Sequence, residues 1–319
     1  MSHQEYRIFL LIETSLGGCA VRLVDGSADV IQRMTVEKFS VSRHLGPFVN
    51  ECLAAKKLNL TDVTHVVASH GPGYFTGIRI LLSHLYGWHA HSLLVNLSAE
   101  KINKNKDLAH QNPASLKRRW LGVSSLSMIM LSCLLKESTM IRQRTLSKPC
   151  QAVFLPSGYQ KGFLAWSEEE VTPGGMDNGD SPVLAPDEGL KNADMGGTFL
   201  LDSHQNTITV NDRKIHTASV SWLPQTKEIA TTQTSTKLTF SQTQIMAIIA
   251  PGDNNKKQPV SWRQMFTALP LEEAISQTLD GMHYLCSPQE SPRLSWLTKP
   301  PTAEYLRGHY ADRKHQQKS

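Results

Sequence analysis

Two short turns carry groups that could bind a phosphate. In the first, "ETSLGG", Glu13, Thr14 and Ser15 place a carboxylate and two hydroxyls directly after an apolar run. In the second, "HGPGYFTG", glycines free the backbone just before a predicted helix. Each turn follows a predicted buried strand, and backbone N–H groups at such positions bind anions. The residues predicted to contact a nucleotide are Glu13, Thr14, Ser15, Gly71, Gly73 and Thr76.

A packing role explains the glycine turn as well as nucleotide binding does. Neither turn matches a Walker A loop or a dinucleotide fingerprint. Gly71, Gly73 and Gly77 are also what a tight turn needs where a helix approaches a strand closely. The sequence favours the packing interpretation and leaves nucleotide binding open.

Three histidines near the second turn are candidates for metal binding. His84, His89 and His91 are spaced five and two residues apart. Ligands on one helical face need a spacing of three or four residues. We therefore predict no metal site, and we expect His84 and His89 to lie at the surface or at an interface.

The elements that position these turns follow the order of a ribonuclease-H-like lobe. Apolar and alternating runs predict three strands over residues 6–35, then a helix over 41–57. A buried strand leads into the glycine turn, and a second helix is predicted over 75–91. The predicted fold class is α/β, in which this lobe is a mixed sheet with flanking helices, and the chain is long enough for a second lobe.

The rest of the chain divides into segments of different character. Residues 1–95 form the first predicted lobe, and residues 96–119 are polar and basic, which predicts a loop insertion. Residues 120–300 form the predicted second lobe, whose last helix is expected to pack back on the first lobe. Residues 301–319 are a polar, basic tail.

Composition is that of an ordinary globular protein. The chain has 319 residues, 40% hydrophobic residues and a formal net charge of +5, so it is not marked as a nucleic-acid binder. Its five cysteines are scattered, which indicates reduced thiols. We find no signal peptide and no apolar run of membrane-spanning length, and we expect a cytoplasmic protein.

The second helix is apolar over more than one face. Ile78, Leu81, Leu82, Leu85 and Trp88 follow a 3.6-residue period that is typical of a core-facing stripe. Further apolar residues lie beside that stripe, so we expect a partner to cover a second face. The residues predicted to form the partner interface are Leu45, Val49, Phe75, Ile78, Arg79, Leu82, Leu85, Tyr86 and His89.

The strings "FLLIETSLGGCAVRLVDG" and "VVASHGPGYFTGIRI" resemble the TsaB (YeaZ-like, glycoprotease-related) family of bacterial tRNA threonylcarbamoyladenosine biosynthesis proteins. "LGVSSLSMIM" and, more loosely, "TAEYLR" are similar to later segments of that family. The resemblance implies the actin-like, sugar-kinase-like double lobe. The chain departs from the family pattern at Glu13, where an aspartate is usual. It also departs from it in having the 96–119 insertion and a longer second lobe.

The resemblance implies a non-catalytic subunit. Its partner would be a TsaD-type catalytic subunit that transfers threonylcarbamoyl to N6 of the adenosine beside the tRNA anticodon, and a TsaE-type ATPase would complete the complex. The family's two first-lobe helices pack on the partner, ATP or ADP is conceivable at that interface, and tRNA is reached through the complex. Without its partner, the chain is expected to form homodimers.

Two other functions stay open from the sequence. One is a nucleotide-dependent ATPase or phosphotransferase of the actin-like superfamily that uses the two turns. The other is direct tRNA binding through the basic insertion and tail. The basic residues of that insertion are Lys101, Lys104, Lys106, Lys117, Arg118 and Arg119.

Overall fold

Two β-sheets, with helices between and outside them, make up the fold. The computed structural model describes residues 7–25, 30–37, 40–103, 118–142, 151–158, 161–167, 195–201, 206–210, 213–223, 237–241, 245–249 and 266–303. Both sheets mix parallel and antiparallel strands, which confirms the predicted two-lobed α/β class.

The first sheet has five strands. They are β1 (Phe9–Glu13), β2 (Cys19–Val24), β3 (Ile31–Thr35), β4 (His65–Gly71) and β5 (Arg119–Ser124). The strand order is β3-β2-β1-β4-β5, with antiparallel pairing from β1 to β3 and parallel pairing from β1 to β5. β1 and β4 occupy the middle, which explains their nearly unbroken apolar sequences.

Two helices cover the outer face of this sheet. They are α1 (Val41–Ala55) and α2 (Phe75–Asn103). Their apolar stripes pack on alternate residues of β1, β2 and β4, in one core cluster that also contains Trp120. The predicted order of three strands, helix, strand and helix is therefore confirmed.

The second sheet has eight strands and repeats the plan of the first. Its strands are β6 (Ala152–Gly158), β7 (Lys161–Ser167), β8 (Met195–Leu201), β9 (Asn206–Val210), β10 (Arg213–Leu223), β11 (Lys237–Ser241), β12 (Ile245–Ile249) and β13 (Thr267–Pro270). Along β10-β7-β6-β12-β13, two antiparallel pairings are followed by two parallel ones. The ribonuclease-H-like strand order therefore occurs twice, and β8, β9 and β11 extend one end of the second sheet.

A pair of helices forms a layer between the sheets. α3 (Ser125–Arg142) follows β5, and α4 (Leu271–Leu285) follows β13. Both contribute to a core cluster that includes residues from the inner faces of the two sheets. An ion pair of 2.9 Å between Arg22 Nη2 and Asp280 Oδ1 joins β2 to α4. The last helix thus packs on the first lobe.

The structure differs from the predicted segment boundaries at two points. Strand β5 pairs with β4, so residues 119–124 belong to the first sheet and not to the second lobe. Helix α2 extends to Asn103, so the start of the predicted 96–119 loop is helical. Arg118 is buried and donates to the carbonyl oxygens of Val63 and Leu60, so it holds the fold together and is not a surface cation. Residues 104–117 and 304–319 lie outside the described residues.

A C-terminal strap, residues 294–303, crosses the edge of the first sheet. Leu297 exchanges two backbone hydrogen bonds with Trp120 of β5, of 3.0 and 2.8 Å. Farther along, the Tyr86 hydroxyl of α2 donates to the carbonyl oxygen of Pro300 at 3.4 Å, and Nδ1 of His70 lies 3.0 Å from that of Thr302. The strap thereby links β5, α2 and the end of β4. No helix in the described part of the chain has the length and apolarity needed to cross a bilayer.

Candidate functional site

The turn after β1 is closed upon itself. The Glu13 carboxylate is fully buried and accepts hydrogen bonds at Oε1 from the backbone N–H of Ser15 at 2.6 Å and of Leu16 at 3.0 Å. Ser125, at the start of α3, lies 2.5 Å from Oε2. The Glu13 carboxyl group is thus hydrogen-bonded to the turn itself and to α3.

The glycine turn packs directly against the backbone of the first turn. A Cβ on Gly73 would collide with the carbonyl oxygen of Ser15, and one on Gly77 with that of Thr14. The Tyr74 N–H donates to the Ser15 carbonyl oxygen at 2.5 Å. The glycines are therefore needed because two stretches of backbone touch, which is the packing interpretation of this turn.

The predicted nucleotide-binding residues lie close together, but most of them are buried by contacts with one another or with neighbouring residues. Glu13, Thr14 and Ser15 have no exposed surface, and Thr14 is bonded through its N–H to Ser69 and through its hydroxyl to Gly77. Gly71 is also buried, whereas Thr76 is exposed at the first turn of α2. In this arrangement the backbones of the two turns contact each other at Gly73 and Gly77, and nucleotide binding at the turns stays a prediction.

Burial shapes the protonation of this cluster. Removal from water raises the pKa of Glu13 above its ordinary value, and its hydrogen bonds with Ser125, Ser15 and Leu16 oppose this increase only in part. The Cys19 thiol on β2 has its pKa raised to about 12, by burial first and then by the Glu13 charge. A carboxyl whose pKa is raised is a poor ligand for a cation, since the ligand must be ionised.

The predicted interface residues separate into two groups. Leu45, Val49, Ile78, Leu82 and Leu85 are buried in the outer core of the first lobe. Their assignment to a partner interface is therefore wrong, because the 3.6-residue period marks the side of the helix that packs on the protein's own sheet.

The remaining predicted interface residues are accessible on α2. Phe75 is 46% exposed and Tyr86 42%. Arg79 is also exposed and lies over the Phe75 ring, 5.2 Å from its centroid, while His89 is half-buried and meets Trp120 edge-on. These residues keep their places as interface candidates.

An exposed α2 face can be defined from the structure. It consists of Phe75, Arg79, Tyr86, Leu93 and Leu94. Phe75, Tyr86 and Leu93 are separated by close to whole numbers of helical turns, so they lie along one side of the helix. Leu93 is 50% and Leu94 63% exposed. Neither leucine was predicted to lie at the interface, because the helix was predicted to end at residue 91 and in the structure it continues to Asn103.

The histidines of α2 do not converge. His84 places Nδ1 2.9 Å from the carbonyl oxygen of Ile80, and His91 is exposed. Within the described ranges, no three histidine, cysteine, aspartate or glutamate side chains are close enough together to hold a metal ion.

A cavity of about 300 Å³ lies between the lobes. His70, Ser124 and Met128 line it from the first lobe and α3, and Thr207 and Ile208 from β9. Burial lowers the pKa of His70, which favours its neutral form. The described residues that line the cavity include no lysine, arginine or carboxylate, so they offer a phosphate no cation.

Comparison with known proteins gives distant structural likenesses. No protein-family model matches the chain, and no curated protein matches it. YeaZ from Pseudomonas aeruginosa is 14% identical with a TM-score of 0.43, over 88% of this chain and 93% of that one. An uncharacterized protein with similarity to peptidase YEAZ from Pseudomonas aeruginosa is 14% identical with a TM-score of 0.46, over 94% and 100%.

A glucokinase from Parabacteroides distasonis is 8% identical with a TM-score of 0.22, over 52% of this chain and 45% of that one. Likenesses this distant do not establish a function. The assignment of the fold rests on the strand order and connections of the chain itself.

Proposed function

We propose that this chain is a non-catalytic subunit of a tRNA threonylcarbamoyladenosine-forming complex. It binds a TsaD-type catalytic subunit through the exposed α2 face and supports that subunit while it modifies the adenosine beside the anticodon. A TsaE-type ATPase completes the complex, tRNA is reached through the partner, and the complex works in the cytoplasm. The motifs of the two turns and of β5–α3 support the family, and the doubled lobe is compatible with it.

One observation carries the proposal. Six large hydrophobic side chains are exposed among the described residues, and four of them are Phe75, Tyr86, Leu93 and Leu94 of α2. The opposite side of the same helix packs on β4, so the helix is held firmly by its own lobe. Concentration of exposed apolar surface on one rigid element is typical of a protein–protein interface.

The geometry gives less support to an ATPase or phosphotransferase. Such an enzyme needs an ionised carboxylate and free N–H groups at the phosphates. Here Glu13 is fully buried, and the backbones of the two turns are in direct contact. Titration of the isolated chain with Mg-ATP tests this alternative, because tight binding that disappears in Glu13→Ala would favour the enzyme over the subunit.

The decisive experiment is co-expression with the catalytic homologue of the same organism, followed by size exclusion and a tRNA threonylcarbamoylation assay. We expect the wild-type chain to elute as a heterodimer and the assay to require it. Tyr86→Glu places a charge in the centre of the exposed α2 face and is expected to abolish co-elution while leaving the circular dichroism spectrum unchanged.

Val30→Glu is the matched control. Val30 is 37% exposed, close to the exposure of Tyr86, but it precedes β3 at the opposite edge of the first sheet. We expect this variant to co-elute normally. Full co-elution of Tyr86→Glu would contradict the placement of the interface, and tRNA modification without this chain would contradict the proposed function.

A further inference from the structure

Four side-chain oxygens, from three residues in two distant parts of the chain, form a closed ring beneath the first turn. Ser15 Oγ lies 2.9 Å from Glu13 Oε1 and 2.6 Å from Ser125 Oγ. Ser125 Oγ lies 2.5 Å from Glu13 Oε2, which completes the ring. All three side chains are fully buried. We call this arrangement the oxygen ring.

The oxygen ring has more oxygen–oxygen contacts than its serine hydroxyls have hydrogens. Oxygen atoms at these distances are hydrogen-bonded, so each of the three contacts needs one hydrogen. The two serine hydroxyls provide two hydrogens. With an ionised carboxylate, one pair of oxygens would face each other with no hydrogen between them. The third hydrogen must therefore come from the carboxyl group.

The partners of the two carboxyl oxygens indicate which one carries the hydrogen. Oε1 accepts from the N–H groups of Ser15 and Leu16 and from the Ser15 hydroxyl, so it is the carbonyl oxygen. Oε2 is bonded to Ser125. A hydrogen on Oε2 is donated to Ser125 Oγ, which donates to Ser15 Oγ, which donates to Oε1. Oε2 then donates, Oε1 accepts and each serine hydroxyl does both, so all three contacts contain one hydrogen.

The elements around Glu13 face it with uncharged groups. From β2 comes the Cys19 thiol, whose pKa is raised by burial above its ordinary value, so it is neutral. From β4, the Ser69 hydroxyl contacts the neighbouring Thr14 N–H, and from the glycine turn the Tyr74 N–H contacts the Ser15 carbonyl oxygen. Among the described residues, no lysine, arginine or histidine forms an ion pair or hydrogen bond with Glu13 to hold it in the ionised form.

We propose that Glu13 is a neutral carboxylic acid at neutral pH, and that its proton closes the oxygen ring and locks the turn after β1 to the start of α3. The same lock extends to α2, because the Ser15 carbonyl oxygen accepts from Tyr74 one residue before that helix begins. The position where the family pattern has an aspartate thus holds a proton instead of serving as a cation ligand. This inference does not depend on the partner proposed above.

The proton makes the lock sensitive to alkaline pH. Because burial raises the pKa of Glu13, the folded chain holds a proton that the unfolded chain has already lost. The free energy of unfolding therefore falls as the pH rises from the ordinary glutamate pKa through the folded one. Ionisation removes the third hydrogen and opens the oxygen ring.

Infrared spectroscopy of the full chain tests the protonation directly. At neutral pH the exposed carboxyl groups are ionised, so a protonated carbonyl stretch reports a buried acid. We expect this band in the wild type and its complete loss in Glu13→Gln. The control is Glu51→Gln, which removes an exposed carboxylate on α1 that pairs with Arg33, and it should keep the band. A wild-type spectrum without the band, or a band that survives in Glu13→Gln, would overturn the proposal.

Thermal unfolding over a pH series provides a second readout. A glutamine amide can donate to Ser125 and accept from Ser15, as the neutral acid does. Glu13→Gln is therefore expected to keep the wild-type melting temperature at mildly acidic pH and to remove the decline that the wild type shows as the pH rises. Glu13→Ala should melt lower at every pH. If Glu13→Gln lost as much stability as Glu13→Ala throughout, the ring would not be built around a neutral acid.

Discussion

The two faces of α2 have opposite environments, although the helix carries apolar residues on both. Leu81 and Leu85 have no exposed surface and pack against β1 and β4. Phe75 and Tyr86, on the other side, are more than two-fifths exposed. The difference teaches that the apolar period of a helix indicates where it packs on its own lobe, whereas the proposed docking surface consists of apolar residues outside that period.

The largest contrast is expected between two adjacent residues. Leu85→Ala removes a fully buried side chain and should lower the free energy of unfolding by about 2–5 kcal/mol. Tyr86→Ala removes an exposed one and should change it by no more than about 0.5 kcal/mol. Urea denaturation of both variants measures the two effects. Equal losses would mean that the two faces do not differ as described.

A smaller effect is expected at Gly77, where α2 touches the first turn. A Cβ there would meet the carbonyl oxygen of Thr14, which cannot move without displacing the buried Glu13 turn. Gly77→Ala should therefore destabilise the fold by about 1–3 kcal/mol, as measured by the same denaturation. An unchanged midpoint would show that the two turns are not in contact.

Gly87 is the glycine of α2 to compare with Gly77, because it lies on the exposed side of the helix. A Cβ there would meet nothing within 4 Å. Gly87→Ala should stabilise the isolated chain by about 1 kcal/mol, because alanine favours a helix over glycine. The thermal midpoint of the isolated chain checks this result. A loss of stability would show that this part of α2 is already covered in the isolated chain.

Local patterns predicted the elements well and their long-range partners poorly. The three strands over residues 6–35, the helix that follows them and the strand before the glycine turn are confirmed, because each depends on neighbouring residues. β5 was assigned to the second lobe because nothing in "RWLGVS" specifies pairing with β4. The doubled strand order repeats in topology and leaves no repeat in the sequence, so the second lobe was predicted from the family resemblance and not from a local pattern.

The candidate site shows the same limit. Glu13, Ser15 and Gly73 were recognised as a cluster from their turn chemistry, and the structure brings them together. Ser125, 110 residues after Ser15, was not predicted as a partner of Glu13. Such a contact depends on α3 passing beneath the first turn, which requires the whole first sheet to be in place.

The packing of α4 also has a consequence for biosynthesis. Arg22 and Asp280 meet although 258 positions separate them, and Ile275 and Leu279 share a core cluster with Phe9 and Leu11. During translation the amino-terminal strands emerge long before α4 exists. The part of the inner face that α4 covers, on β1 and β2, therefore stays uncovered until residue 285 has been made, and a nascent chain that stalls earlier presents those apolar residues to chaperones.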